Sequence, residues 1–279
     1  MTVVKKGQSP VGRRTKRAEG RDDLALLALD TSLMEDANLQ DRVYQILRNA
    51  LIRGHFAPGA QLTIRTLAKV LGTSIIPVRD ALQRLVAERA LELTENRSAR
   101  VPDMRPDSFR ELVEIRLMLE GAAVRRLKLP LTPEQMDELR LVNHKVELAV
   151  RRGDAEAATV ANMEFHFLLY RLAGGELHYR MIETLWVRAG PLLRLPFRAE
   201  TYEPDVFSRG VERHKEIIDA LERLDHETAS RALLADIADT ARWYETCFIA
   251  LIAPERAQQS VATKVLSEEP RLPRGRPTD

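Results

Sequence analysis

The sequence predicts a mainly α-helical chain in two parts: a winged helix-turn-helix in front and an all-helical bundle behind. Three observations predict it. Apolar residues recur at spacings of three and four from residue 39 to 86 and again from 107 to 250, the period of an amphipathic helix. Between those stretches, residues 91–101 alternate around a polar turn, as a short hairpin does. Pro102 and Pro106 then break the chain between the two parts.

The chain has 279 residues, about two domains' worth. It is 44% hydrophobic and 30% charged, a globular composition able to bury a core. The longest uncharged apolar runs are Leu24 to Leu29 and Cys247 to Ala253. Both fall far short of the ~20 residues a membrane span needs. The N-terminus is basic, but no apolar signal core follows it. A single cysteine, Cys247, excludes an internal disulfide and a Cys-based zinc finger. A cytoplasmic protein without membrane contact is expected.

The net charge of +2 hides an asymmetry. Residues 1–21 carry +6 and the first 105 residues together +6, which leaves −4 for the remainder. A basic front and an acidic back suit a front that meets a polyanion, or simply a solvated surface. Residues 1–35 read as a basic, disordered arm, 36–105 as the winged helix-turn-helix, 106–252 as the bundle and 253–279 as a disordered tail.

In the front part, Leu39, Val43, Ile46, Leu47, Ala50 and Leu51 predict a helix over about 39–53, capped by Asn38 and stopped at Gly54. Pro58-Gly59 is a turn. Thr63 caps a short helix, Ile64 to Leu71, ending at Gly72. Ser74 caps a third helix, with Pro77 in its first turn and Val78, Ala81, Leu82, Leu85 and Val86 facing inward. Leu91 to Thr94 and Ala99 to Val101 form the hairpin around Glu95-Asn96-Arg97-Ser98. This order is that of a winged helix-turn-helix, whose third helix enters the major groove.

The back part reads as six or seven helices. They cover about 107–128, 132–153 (opened by the capping box Thr132-Pro133-Glu134-Gln135), 154–172, 177–195, 208–224 and 227–250. Polar residues interrupt three apolar stripes. Asn162 and His166 accompany Ala158, Phe165, Leu169 and Leu172. His214 accompanies Val211, Ile218 and Leu221. Asp236 clusters with Leu233, Ile237 and Thr240. Inward imidazole, amide and carboxylate groups must be satisfied. They satisfy each other, or they surround a ligand or metal in the bundle core. His55, His144, His178 and His226 fall in turns or on polar faces and read as surface.

Residues 43–101 resemble the DNA-binding domain of the GntR family of bacterial transcription regulators. The resemblance rests on Gly54, Pro58-Gly59, Leu62, Arg65, Leu67-Ala68, Leu71-Gly72, Ser74, Pro77-Val78-Arg79, Ala81-Leu82, Arg84-Leu85 and Asn96-Arg97. The back part is similar to the FCD effector domain of the FadR-type branch, on Glu114-Ile115-Arg116 with Leu119-Glu120, Phe165-His166, and His214 with Ile217-Ile218 and Ala220-Leu221.

The resemblance implies a homodimer that binds a two-fold double-stranded DNA operator under control of a small effector, a carboxylate metabolite, and that acts as a repressor. Arg79 lies opposite the Val78/Leu82/Leu85 stripe, where an arginine can donate two bonds to guanine O6 and N7. Arg65 matches a family contact to base or phosphate. Ser74 can bond a phosphate at the helix N-terminus. Arg97 and Ser98 match the wing tip that reaches the minor groove, and Gln83 completes the expected DNA-contacting set. Arg84 and Arg89 read instead as surface or interdomain pairs. Family members often carry Arg-Thr after the capping residue; here Ile75-Ile76 stand there. A charged donor is lost, although isoleucine can press on a thymine methyl, so the operator differs from that of Arg-Thr members.

The resemblance also implies a divalent metal, zinc, nickel or similar, held by an Asp, a His four residues later and two more His. Here Asn162 takes the Asp position, His166 and His214 match two histidines, and Asp236 takes the third. Arg116 matches a residue that holds an effector carboxylate; alone, it reads equally as an i,i+4 partner of Glu120. An acyl-CoA-type sensor would lack the metal histidines. Two rival classes remain, a metal-dependent enzyme and an architectural DNA-binding protein without effector. No HExxH, GxGxxG, Walker or GxSxG motif supports the enzyme.

Overall fold

The computed structural model describes residues 39–94, 98–193 and 204–267. The basic arm, the Asn38 cap, Arg97 and residues 268–279 lie outside the described residues.

The front part contains α1 (Leu39–Ile52), β1 (Gln61–Leu62), α2 (Ile64–Val70), α3 (Ile75–Ala87), β2 (Glu92–Leu93) and β3 (Ala99–Arg100). The i, i+3, i+4 stripe of α1 is buried against Leu67 of α2 and Val78, Leu82 and Leu85 of α3. Each such buried side chain stabilises the fold by roughly 1.5–3 kcal/mol. Thr63 caps α2 by accepting the Thr66 amide. Gly72, at φ 62°, makes the turn that a side chain would strain. Ser74 sits at the N-cap of α3 with extended backbone, but its hydroxyl makes no capping bond. The expected cap is therefore positional only.

The wing also differs from the expected hairpin. It is a three-stranded antiparallel sheet in the order β1-β3-β2, with Gln61 opposite Arg100 and Leu62 opposite Ala99 on one side of β3. Two residues of β1 are too few to show alternation, and their partner lies almost forty residues away. Arg100 stitches the wing by pairing with Glu92 at 3.1 Å and Asp103 at 2.8 Å.

The back part contains α4 (Pro106–Arg125), α5 (Pro133–Arg151), α6 (Ala155–Ala173), α7 (Glu176–Leu193), α8 (Pro204–Glu222) and α9 (His226–Ser267). Thr132 and Gln135 form the capping box of α5, and Asp154 caps α6 through the Ala157 amide. Two boundaries move. The α8 helix begins at Pro204, four residues before the expected start, with proline at the position where its missing N–H costs nothing. The α9 helix continues to Ser267, through half of the expected tail. Beyond Pro254 the segment is rich in Glu, Arg, Ala, Gln and Lys, good helix formers that carry the helix on.

The two parts dock through α1 and α7. Their apolar residues belong to one continuous core that runs from Leu47 and Leu51 to Trp186 and Val187. Arg48 pairs with Glu183 at 3.2 Å. At Gly190 a Cβ would lie 1.9 Å from the Leu51 carbonyl oxygen, so the helices meet backbone to backbone. Two histidines expected at the surface are recruited here and elsewhere by tertiary contacts. His55 is buried, with Nε2 3.8 Å from the Glu156 carboxylate. His178 is half-buried and donates from Nε2 to the Leu119 carbonyl at 2.7 Å. His144 is exposed as expected.

Candidate functional site: a recognition helix and a buried polar centre

On α3 the inward stripe of Val78, Ala81, Leu82 and Leu85 leaves the opposite side open. Ile75, Arg79 and Gln83 follow one another there at four-residue steps, with Ile76 beside them, all exposed. Ile75 and Ile76 are 57% and 54% exposed. Arg79 extends into solvent, with Asp80 3.6 Å from its Nε. Arg65 of α2 and Ser74 are exposed as well. Ser98 is half-buried, and its carbonyl accepts from the amide and hydroxyl of Thr94, which closes the wing. Arg84 pairs within the front part and not between the domains: its guanidinium stacks 3.7 Å over Tyr44 and pairs with Asp41 and Glu88.

The second site lies inside the bundle. His166 of α6, His214 of α8 and Asp236 of α9 are all buried, and their ligand atoms lie within 4.8 Å of one another. His166 Nε2 is 3.1 Å from the Asp236 carboxylate. Asn162 lies with them: a Cβ placed on Gly210 would stand 3.4 Å from Asp236 Oδ1 and 4.0 Å from Asn162 Oδ1. Glycine at 210 thus leaves room between the two side chains.

The hydrogen bonds around the histidines fix their tautomers. Asn143 Nδ2 donates to the Val211 carbonyl at 3.3 Å, so its Oδ1 is the atom 3.0 Å from His214 Nδ1. His214 must therefore donate from Nδ1, and its Nε2 carries a lone pair. That atom is buried and has no hydrogen-bond partner among the described residues. Burial pushes the His214 pKa down to about 3, so the ring is neutral. For His166, the Tyr170 hydroxyl gives its one proton to the Glu120 carboxylate. His166 Nδ1, 3.1 Å from that oxygen, must then be the donor. Burial and Glu120 hold the Tyr170 phenol well above its ordinary pKa. Burial alone would raise the Asp236 carboxyl, but the hydrogen bond it shares with His166 and the nearby Arg116 charge hold it below the ordinary value. Two imidazoles with committed Nδ1–H groups present Nε2 toward one carboxylate. Such an arrangement needs a cation or a proton at its centre.

Arg116 makes the i,i+4 pair that its spacing allows, with the buried Glu120 at 2.6 Å, and it also faces a cavity of about 40 Å³ lined by Asn162, His166, Trp186, Asp236 and Thr240. Its guanidinium lies 4.5 Å over the Trp186 ring. Sequence reasoning missed Asn143, Tyr170, Glu120 as a relay member, Trp186 and Gly210. Asn143 had a signal, an amide on the Leu139/Val142/Val146 stripe. Tyr170 had one too, four residues beyond His166.

A winged helix-turn-helix with an exposed recognition arginine, docked on a bundle with a buried polar centre, defines a class: transcription regulators that join a DNA-binding head to a second, sensing domain. Comparison with known proteins agrees. Residues 39–101 match the bacterial regulatory proteins of the gntR family, and residues 111–239 match the FCD domain. The chain is 34% identical over 207 residues to the HTH-type transcriptional regulator McbR of Escherichia coli strain K12, covering 74% of this chain and 92% of that protein. It is 24% identical over 219 residues to the HTH-type transcriptional repressor RspR of the same strain, covering 77% and 94%. The solved structure of E. coli McbR/YncC superposes with a TM-score of 0.72 at 30% identity, over 76% of this chain and 100% of that one. The chain belongs to the GntR family of transcriptional regulators with an FCD domain. Among the described residues, no helix is long and apolar enough to cross a membrane.

Proposed function

We propose that this regulator is a repressor that binds a two-fold DNA operator as a homodimer, and that a small carboxylate effector, held with a divalent metal inside the bundle, controls its grip. Chromosomal DNA as target puts its work in the cytoplasm. The convergence of His166, His214 and Asp236, three buried side chains whose ligand atoms lie within 4.8 Å of one another, carries the sensing half of this reading. His166, His214 and Asp236 would hold the ion, with the Asn162 carbonyl as a weak fourth ligand; imidazole suits zinc or nickel. Such an ion would supply positive charge and open positions to which a carboxylate is drawn. Arg116, charged and at the cavity wall, adds a second attraction for an anion. Around the site, Asn143 and the Tyr170–Glu120 pair orient the two rings.

The DNA half rests on Arg79. Once an operator has been selected from random DNA, Arg79→Ala is expected to cost about 1–3 kcal/mol of specific affinity, roughly 5- to 150-fold. Unchanged affinity in a folded variant would refute the recognition-helix assignment. The +6 arm, outside the described residues, is expected to add affinity without specificity. Deleting residues 1–21 should flatten the salt dependence of binding and keep sequence preference. An identical salt slope in the shortened protein would count against it.

A further inference from the structure

Two buried polar atoms in the bundle stand without a partner among the described residues. One is His214 Nε2, which the metal reading uses. The other is Trp186 Nε1. An indole N–H can only donate, and a buried donor left unpaired is rare and costly. Trp186 is 1% exposed and lines the same cavity as Arg116, His166 and Asp236. One face of its ring carries the Arg116 guanidinium at 4.5 Å, and the His166 ring lies 5.4 Å away. The cavity is thus lined by a guanidinium-bearing side chain and by an indole whose N–H is uncommitted. Its volume of about 40 Å³ admits about three waters or one carboxylate-sized group.

We propose that Trp186 is a ligand-binding residue that donates its indole N–H to a carboxylate oxygen of the effector, beside Arg116. This rests on the reading of the bundle centre as a metal and carboxylate site, and it assigns that site its specificity-determining donor. Trp186 also ties the ligand to the head. It lies on α7 between Glu183, which pairs with Arg48 of α1, and Gly190, which abuts the Leu51 carbonyl. A bond formed at Trp186 is formed on the helix that carries the DNA-binding part.

The chain has two tryptophans, Trp186 and Trp243, so full-length protein with Trp243→Phe reports Trp186 alone. Zinc-loaded protein is titrated with acetate, lactate, succinate and citrate, read by fluorescence, by melting temperature and by the indole ¹⁵N–¹H cross-peak. At least one acid is expected to raise the melting temperature and move the indole proton downfield. Trp186→Phe, which keeps a ring under Arg116 and loses the donor, should weaken that acid at least fivefold and leave zinc affinity unchanged. Equal carboxylate affinity in the variant, an unmoved cross-peak, or no response to any of the four acids overturns the proposal and leaves the metal reading standing. Protein that takes up no zinc fails the metal reading instead, and the same titrations on metal-free protein then decide on Trp186 alone. The cross-peak needs no change at position 186, so a misfolded Trp186→Phe does not block the test.

Discussion

Protein purified without chelator is expected to contain about one divalent metal per chain, and His166→Ala and His214→Ala are each expected to lose it. The three candidate ligands come from α6, α8 and α9, so an ion bound there links helices that are distant in sequence. Binding to the folded state alone stabilises by about 4 kcal/mol when free metal exceeds Kd a thousandfold. In a chain of this size that corresponds to roughly 8–16 °C in melting temperature. Asp236 supplies the only formal negative charge among the four groups, because Asn162 offers an amide. The ion should therefore keep open positions rather than a closed shell. Asn143→Ala removes the acceptor that commits His214 Nδ1 and should weaken the metal about 10- to 100-fold without touching it. Elemental analysis of wild type and variants checks the content, and melting curves with added zinc, nickel or manganese check the linkage. If wild type holds no metal and none of the three ions raises its melting temperature, these groups are a hydrogen-bonded core or bind the effector directly.

Helices were legible wherever one stripe decides the fold. Val43, Leu47 and Leu51 in α1, or Val78, Leu82 and Leu85 in α3, declare their face in the spacing, and they are the residues found buried. The polar centre was legible for the same reason: Asn162, His166, His214 and Asp236 break apolar stripes, and a polar residue there points inward. What the spacing does not carry is distance across the fold. The β1 strand pairs with β3, whose residues lie far along the chain, and two residues give no period. His55 follows a helix end, a surface context locally, and only the approach of Glu156 from α6 buries it. The role of Arg116 stayed open because i,i+4 pairing and cavity lining are compatible, and the structure has both. Trp186 lies on an ordinary apolar stripe. Nothing in sequence distinguishes an indole with a partner from one without.

Gly190→Ala is expected to destabilise the protein by about 3 kcal/mol and to uncouple the head from the bundle. The added Cβ would meet the Leu51 carbonyl oxygen at 1.9 Å, with the Ile52 Cα and carbonyl oxygen each at 2.8 Å. All three are backbone atoms, so no rotamer change relieves the clash. The Leu51 carbonyl is itself held, accepting from the Gly54 amide at 2.9 Å where α1 ends. Relief requires α1 and α7 to separate by an ångström or more, and overpacking of this kind typically costs 1–3 kcal/mol, occasionally more. Separation would also stretch the Arg48–Glu183 pair, whose arginine is buried. The same helix presents Trp186, Ala189 and Leu192 to the cavity, so it is the element through which a ligand bound in the bundle would reach the head. The variant should therefore melt several degrees lower, bind DNA through an intact recognition helix, and lose the change in operator affinity that metal and carboxylate are proposed to bring about in wild type. Calorimetry and operator titrations with and without zinc plus carboxylate measure both effects. A variant that melts like wild type and still responds would show that α1 and α7 tolerate separation and that the coupling runs elsewhere.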